Sequence, residues 1–211
     1  MDLTWFRQPG DGRSGSLNLC FNAVDRHVVH GAAEEPALLL TDGSVDFANL
    51  LERVGALAGA FRALGVGVGD RVVLALTDPQ DVVVAELACA RLGAVYAAAL
   101  AADLAAVVDL YQPVLVATAH PPVFGAHTPS VCLVRGVEPV DLRRDLDWEA
   151  ALAAGRTDAA PCAEVGPDAT AYSVAGSDVV VRDAFDQATP PGQRLERLAS
   201  RTPLDLTGGT T

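Results

Sequence analysis

His27 and His30 stand three residues apart on a helical stretch, a spacing that can turn two imidazoles toward one ion. No third ligand lies near them in sequence, and two points of attachment do not make a metal site. The four cysteines, Cys20, Cys89, Cys132 and Cys162, are far apart in the chain and lack the close pairs that structural zinc requires. Their apolar or Ala-rich neighbours read as buried thiols. Cys89 has no histidine near in sequence to take its proton, so nucleophilic chemistry is not assigned to it. Gly65-Val66-Gly67-Val68-Gly69 has the glycine density of a dinucleotide loop, but it precedes a strand instead of opening a helix. No catalytic residue and no metal site are expected.

All 15 basic residues are arginine, and lysine is absent. Schiff-base formation, pyridoxal chemistry and the lysine of a phosphate-binding loop all need a primary amine, so those mechanisms are excluded within these residues; arginine can hold a phosphate but cannot form an imine. The formal charge of −12 argues against nucleic acid or an anionic membrane as partner, because both demand clustered positive charge. The apolar runs are short and broken by Asp, Arg or Gly, well below the ~20 residues that cross a bilayer. The start, Met1-Asp2-Leu3-Thr4-Trp5, lacks a basic head and an apolar core, so a cytoplasmic location is expected.

The elements that must position any site alternate in type. Leu17, Cys20, Phe21, Val24 and Val28 recur at helical spacing, with Ser16 as the expected N-cap and Gly31 as the stop. Ala37–Leu40 and Val45–Phe47 flank the Asp42-Gly43 turn as a hairpin. Ala48–Leu64 places Leu50, Leu51, Val54, Leu57, Phe61 and Leu64 on one stripe of a helix. Arg71–Leu76 is an apolar run of the kind buried on both faces; Thr77-Asp78-Pro79 opens a helix to Leu92. Then follow a strand (Val95–Leu100), a helix (Ala102–Tyr111) and strands at Val114–Thr118 and Ser130–Val134. This predicts a doubly wound, mostly parallel α/β sheet. Val137–Arg156 holds one or two short helices with Trp148 and Leu152 inward, Thr157–Pro167 reads as a linker, and Thr170–Ala175 is one last strand. One domain is expected over residues 1–182, followed by a divergent, loosely held tail, 183–211, with a short helix around Leu195–Leu198.

Three collinear segments carry a family resemblance. Trp5-Phe6 is followed by Leu17-Asn18-Leu19-Cys20-Phe21-Asn22-Ala23-Val24-Asp25-Arg26-His27, which is similar to the WF…LN…NCVDRH string of acetyl- and propionyl-CoA synthetases. Glu86–Ala94 resembles their MLACARIGAV helix and turn, and Asp103–Thr118 their next helix, Gln-Pro turn and strand. From about Thr4 to Val181 the chain thus resembles the first N-terminal subdomain of AMP-forming acyl-CoA synthetases. The resemblance implies a two-step reaction: a carboxylate attacks the α-phosphate of ATP to give an acyl-adenylate, and the thiol of CoA displaces AMP. It also implies that Asp25-Arg26 forms a local ion pair docking the N-terminal arm.

The departures shape the functional expectation. In the family, a Thr/Ser/Gly-rich phosphate loop ending in Pro-Lys-Gly follows the strand that Ala171–Val174 resembles. Here Ser173, Gly176 and Ser177 stand as degenerate remnants of it, Pro-Lys-Gly is missing, and Asp178 places a carboxylate where phosphates would lie. Leu100-Ala101-Ala102 stands where the family has a Phe-Gly-Gly turn beside CoA, and His120–Ala126 replaces an arginine-bearing segment. The terminal Leu206–Thr211 run is similar to the phosphate loop in composition only. The resemblance therefore implies a truncated ligase-like protein that does not adenylate a carboxylate alone and serves as an interaction or regulatory module. The alternative is the N-terminal part of a split acetyl/propionyl-CoA synthetase-type ligase completed by a second chain. A small-molecule binder using the sheet's carboxyl edge is a third reading. No cofactor is expected, with ATP, AMP or CoA bound only on completion by a partner; the partner is a homodimer mate or a protein supplying the missing subdomains.

Overall fold

The structure, a computed structural model, describes residues 3–10, 12 and 14–208. Its centre is β3 (Arg71–Ala75), whose unbroken apolar run is explained by the two layers it separates. Val72 and Leu74 belong to the larger core cluster on one face, and Val73 and Ala75 to a smaller cluster on the other. The same alternation recurs in β5 (Leu115–Thr118) and β6 (Val131–Val134). Period-two alternation with both sides apolar is what a sheet covered on both faces requires.

Seven strands form this sheet in the order β7-β6-β5-β3-β4-β8-β9, with β4 at Val95–Ala98, β7 at Asp145–Asp147, β8 at Thr170–Val174 and β9 at Ser177–Val180. Every pair is parallel except β8 with β9. The chain leaves β3 through α3 (Pro79–Leu92) to reach β4, then returns past β3 through α4 (Leu104–Tyr111) to β5. The direction of winding reverses between β3 and β5, which marks the crevice where open α/β sheets usually hold ligands.

The larger layer is built by α2 (Phe47–Ala63), started by Asp46, whose carboxylate accepts from the Asn49 amide. It buries Leu50, Val54, Leu57 and Phe61, each contributing about 1.5–3 kcal/mol. Against it lies α5 (Trp148–Gly155). The two helices approach so closely that a Cβ on Gly155 would overlap the Ala56 carbonyl oxygen.

A second, three-stranded sheet runs β10-β1-β2, made of the expected hairpin, β1 (Pro36–Leu40) and β2 (Gly43–Asp46), plus β10 (Leu204–Asp205), parallel to β1. The first helical stretch has a π-turn over Phe21–Asp25 continuing into α1 (Arg26–Val29). Its start is held by Asn18 and not by Ser16: the Phe21 amide donates to Asn18 Oδ1 at 3.0 Å.

Several expectations are corrected by packing. The segment from Asp183, expected to be a loose tail, is integral to the fold over its described part: α6 (Pro190–Ala199) buries Leu195 and Leu198, and Leu204 is buried in β10. Arg194 of α6 donates to both carboxylate oxygens of the buried Glu86 on α3, at 2.8 and 2.5 Å. Gly209–Thr211, the end of the expected tail, lie outside the described residues. Thr157–Pro167, read as a linker, is a packed strap: Arg91 Nε donates to the Ala160 carbonyl at 2.6 Å, and Leu17 and Val165 exchange backbone hydrogen bonds. Asp25 and Arg26 do not pair with each other. Asp25 takes Arg91 of α3 at 2.8 Å, whereas Arg26 donates to the Ala199 carbonyl at 2.6 Å.

Candidate functional site

The carboxyl ends of the parallel strands define the edge where a ligand would meet the sheet. Four helices, α3, α4, α5 and α6, begin there or beside it, and a helix N-terminus is an anion site only while its amides are free. At α3, α5 and α6 side chains of the chain itself take them, whereas α4 has no side-chain cap. Asp78 caps α3, accepting from the amides of Gln80 and Asp81 at 2.8 and 3.0 Å; Asp147 caps α5, accepting from Ala150 at 2.8 Å. α6 opens with Pro190 and Pro191, which have no N–H, and its Gly192 amide is taken by Thr189 Oγ1.

The cations near this edge are likewise paired. Arg135, just past β6, bridges Asp81 and Glu149. Burial pushes the Asp81 carboxyl up, and Arg135 partly offsets it. Arg194 is held by Glu86; burial raises the Glu86 carboxyl, and the two hydrogen bonds from Arg194 pull it back. Each guanidinium therefore meets a carboxylate already in the fold before it can meet a phosphate.

Ser173, Gly176 and Ser177 are brought together, but as a hairpin. Val174 pairs with Ser177, leaving Ala175 and Gly176 as a two-residue turn with φ of 49° and 81°. Two successive left-handed residues are the signature of a type I′ turn, which closes strands tightly and leaves no span of free amides to wrap around a phosphate. Ser173 is buried and donates its hydroxyl to the Asp178 carboxylate across the hairpin. The strand β9 follows where a cradle would need a helix.

The Leu100–Ala102 segment exposes Leu100 (74%) and passes through a single 3₁₀ turn, Ala101–Asp103, into α4. The His120–Ala126 loop acquires a cation that its sequence lacks: the Arg144 guanidinium lies 4.7 Å from the centre of the Phe124 ring. That arginine is spent on Asp145, at 2.6 and 3.1 Å. Between the ends of β4 and β8, α4 and α6 lies a cleft of ≈ 320 Å³ lined mainly by apolar groups, among them Ala97, Val107, Leu110, Val174 and Pro191.

His27 and His30 diverge. His27 is buried with its ring 4.9 Å from that of Phe47, and His30 is exposed. Cys89 is fully buried, and burial drives its thiol far above the ordinary range; the Cys132 thiol is pushed up to about 12 for the same reason. The expectation of four dispersed, buried thiols fails at Cys162, which is half-buried and folds back onto Cys20 beside Asp25. Sequence separation concealed that cluster; no local signal marks it.

With an α/β sheet of this winding and this edge, family membership follows: residues 25–181 match the family described as AMP-binding enzyme, and the chain belongs to that family. Among similar proteins, Uncharacterized protein PA3568 of Pseudomonas aeruginosa is 33% identical over 209 residues, covering 78% of this chain and 33% of that protein. Acyl-CoA synthetase short-chain family member 3, mitochondrial, of Rattus norvegicus is 31% identical over 171 residues, covering 66% of this chain and 25% of that protein. Acetyl-coenzyme A synthetase of Burkholderia mallei is 42% identical over 87 residues, covering 39% of this chain and 13% of that protein. The chain thus spans a third or less of the length of the relatives it matches. Among the described residues no helix is long and apolar enough to cross a membrane.

Proposed function

We propose that these residues form a ligase-like scaffold of the acyl-CoA synthetase type that does not adenylate a carboxylate by itself and acts as an interaction or regulatory module. One observation carries this reading: the hairpin at Ala175-Gly176 closes in two residues, so the position that resembles a phosphate loop offers no ring of free amides. The carboxylate caps on α3 and α5 support it, since each puts negative charge where a nucleotide phosphate would need a donor. Transfer at the α-phosphate requires negative charge to be stabilised in the transition state, and uncompensated donors are what supply that. The test is pyrophosphate release by the purified 211-residue protein with acetate or propionate, ATP and Mg²⁺. Release no faster than in protein-free controls is expected; carboxylate-dependent turnover would overturn the reading.

A second reading, the N-terminal part of a ligase completed by another chain, is favoured by the open cleft between α4 and α6 and by the exposed Leu110 on its rim (68%). Exposed apolar surface at a cleft mouth suits a partner subdomain better than water. Co-expression with the downstream two thirds of an acetyl-CoA synthetase should restore acyl-adenylate formation if this holds, and a monodisperse monomer with no complex by light scattering would count against both this reading and a homodimer.

A further inference from the structure

The cluster of Cys20, Asp25 and Cys162 joins parts of the chain that sequence keeps far apart, and its ligand atoms all lie within 4.8 Å of one another. Both thiols point at the same carboxylate: Cys20 Sγ is 3.4 Å from Asp25 Oδ2 and Cys162 Sγ 3.6 Å from Asp25 Oδ1. The backbones that carry them are pinned from either side. Asn18 Nδ2 donates to the Ala163 carbonyl at 2.9 Å, the Ala163 amide donates to the Arg91 carbonyl at 2.8 Å, and Leu17 and Val165 bond at 2.8 and 3.1 Å. The strap therefore holds Cys162 opposite Cys20 and cannot drift away without breaking these bonds.

Two soft sulfurs and a carboxylate suggest a metal, but a cation already sits among them. Arg91 Nη1 donates to Asp25 Oδ1 and Oδ2 at 2.8 and 2.9 Å and to Cys20 Sγ at 3.5 Å. An ion placed between the same three groups would have to expel that guanidinium from a site where its side chain is only 11% exposed. Removing one partner of a buried pair is costly. Thiol chemistry needs no such displacement.

We infer that Cys20 and Cys162 are an oxidative modification site: a low-molecular-weight disulfide converts the pair into a disulfide that staples the strap to the first helical stretch. The order of events follows from exposure. Cys162 is half-buried and Cys20 fully buried, so the Cys162 thiolate attacks one sulfur of the reagent, forming a mixed disulfide and expelling one thiolate that takes a proton from water. Cys20 then attacks Cys162 Sγ, passing its proton by way of the Asp25 carboxylate to solvent, and the second reagent thiol leaves. Two thiols lose two electrons and two protons, and one disulfide becomes two thiols. Burial raises the Cys20 thiol, which makes the second step the slow one. Asp25 loses both S–H contacts but keeps Arg91 on both oxygens, so the ion pair survives. Cys89 and Cys132, both buried away from the reagent, stay reduced.

The full chain is incubated with glutathione disulfide, alkylated and mapped by mass spectrometry. A Cys20–Cys162 cross-linked peptide, with Cys89 and Cys132 alkylated only after denaturation, is expected, together with a higher Tm for the oxidised protein because the covalent loop restricts the unfolded chain. Cys20→Ser (or Cys20→Ala) should stop at a stable glutathione adduct on Cys162, whereas Cys162→Ser should leave Cys20 unmodified. A persistent adduct on Cys162 in the unsubstituted protein, cross-links between chains, or retention of one Zn²⁺ per reduced chain with both thiols shielded would each overturn the assignment.

Discussion

Replacing Arg194 by Met tests whether the segment beyond Asp183 belongs to the core. Glu86 is buried (side chain 6% exposed), and its two oxygens are held by Arg194, itself 25% exposed. Methionine keeps most of the apolar stem but leaves a carboxylate in a low-dielectric site without a counter-charge. Breaking one side of such a pair costs about 3–5 kcal/mol, against a total stability of about 5–15 kcal/mol for a domain. The deficit should depend on pH. Burial already raises Glu86 in the folded state, with Arg194 opposing; removing Arg194 raises it further. A carboxyl raised on folding gives stability that is present below its unfolded value, about 4.3, and lost as pH rises through the folded value. Urea unfolding should therefore show a large loss of midpoint for Arg194→Met at pH 8 and a smaller one at pH 5. Substituting both partners with apolar residues, Glu86→Leu with Arg194→Met, should return stability to near or above the starting value. A loss under about 1 kcal/mol at pH 8, or one that grows toward acid, would refute the docking of α6 on α3.

Gly155→Ala should destabilise the fold by about 1–3 kcal/mol, because its methyl group meets the Ala56 carbonyl where α5 crosses α2; thermal melts measure it. Ala175→Gly should stabilise by about 1 kcal/mol, since Ala175 holds φ at 49° in the hairpin turn, and equilibrium unfolding checks the sign. His27 is kept neutral by burial, with the nearby Arg26 charge adding to the effect, so its folded-state value lies below the ordinary one. Its contribution is complete above pH ~6.5 and drains away as pH falls toward the depressed folded value, because the unfolded chain takes up the proton first. A pH series of unfolding midpoints should show this limb, and His27→Leu should flatten it.

At the edge of the sheet the chain's own carboxylates take the helix amides, and this supports the proposed reading. Helix caps contribute about 0.5–2 kcal/mol each to stability, and Asp78 and Asp147 provide them. The same oxygens consume the amides that an anion would use. Arg135 and Arg194 illustrate the second half of the trade: as ion-pair partners of Asp81 and Glu86 they brace α5 and α6 against α3, and their donors are committed to that role.

Local order was legible wherever neighbours in sequence decide it. The apolar run at Arg71–Ala75, the stripe of α2, the Asp78-Pro79 start of α3 and the β1–β2 hairpin all follow from periodicity, caps and turn residues. The missed strands, β7, β9 and β10, are two to four residues long, too short to show a period, and exist because an edge of a sheet supplied partners. Thr157–Pro167 and the segment from Asp183 looked loose because Ala, Pro and Gly carry no periodic signal, yet backbone hydrogen bonds to Leu17 and Arg91, and the Arg194–Glu86 pair, fasten them.

What the amino-acid order settles by itself is the chemical inventory: arginine without lysine, four thiols, a formal charge of −12, and alternating elements that must wind into an α/β sheet. Which of those groups meet is decided only by folding. Cys20 finds Cys162, Asp25 takes Arg91 instead of its neighbour Arg26, and Arg194 reaches Glu86. The physical reason is that long-range pairing is set by strand order and helix packing, which bring distant segments within hydrogen-bond range. Spacing along the chain reports only what lies within a turn or two of helix, or across one hairpin.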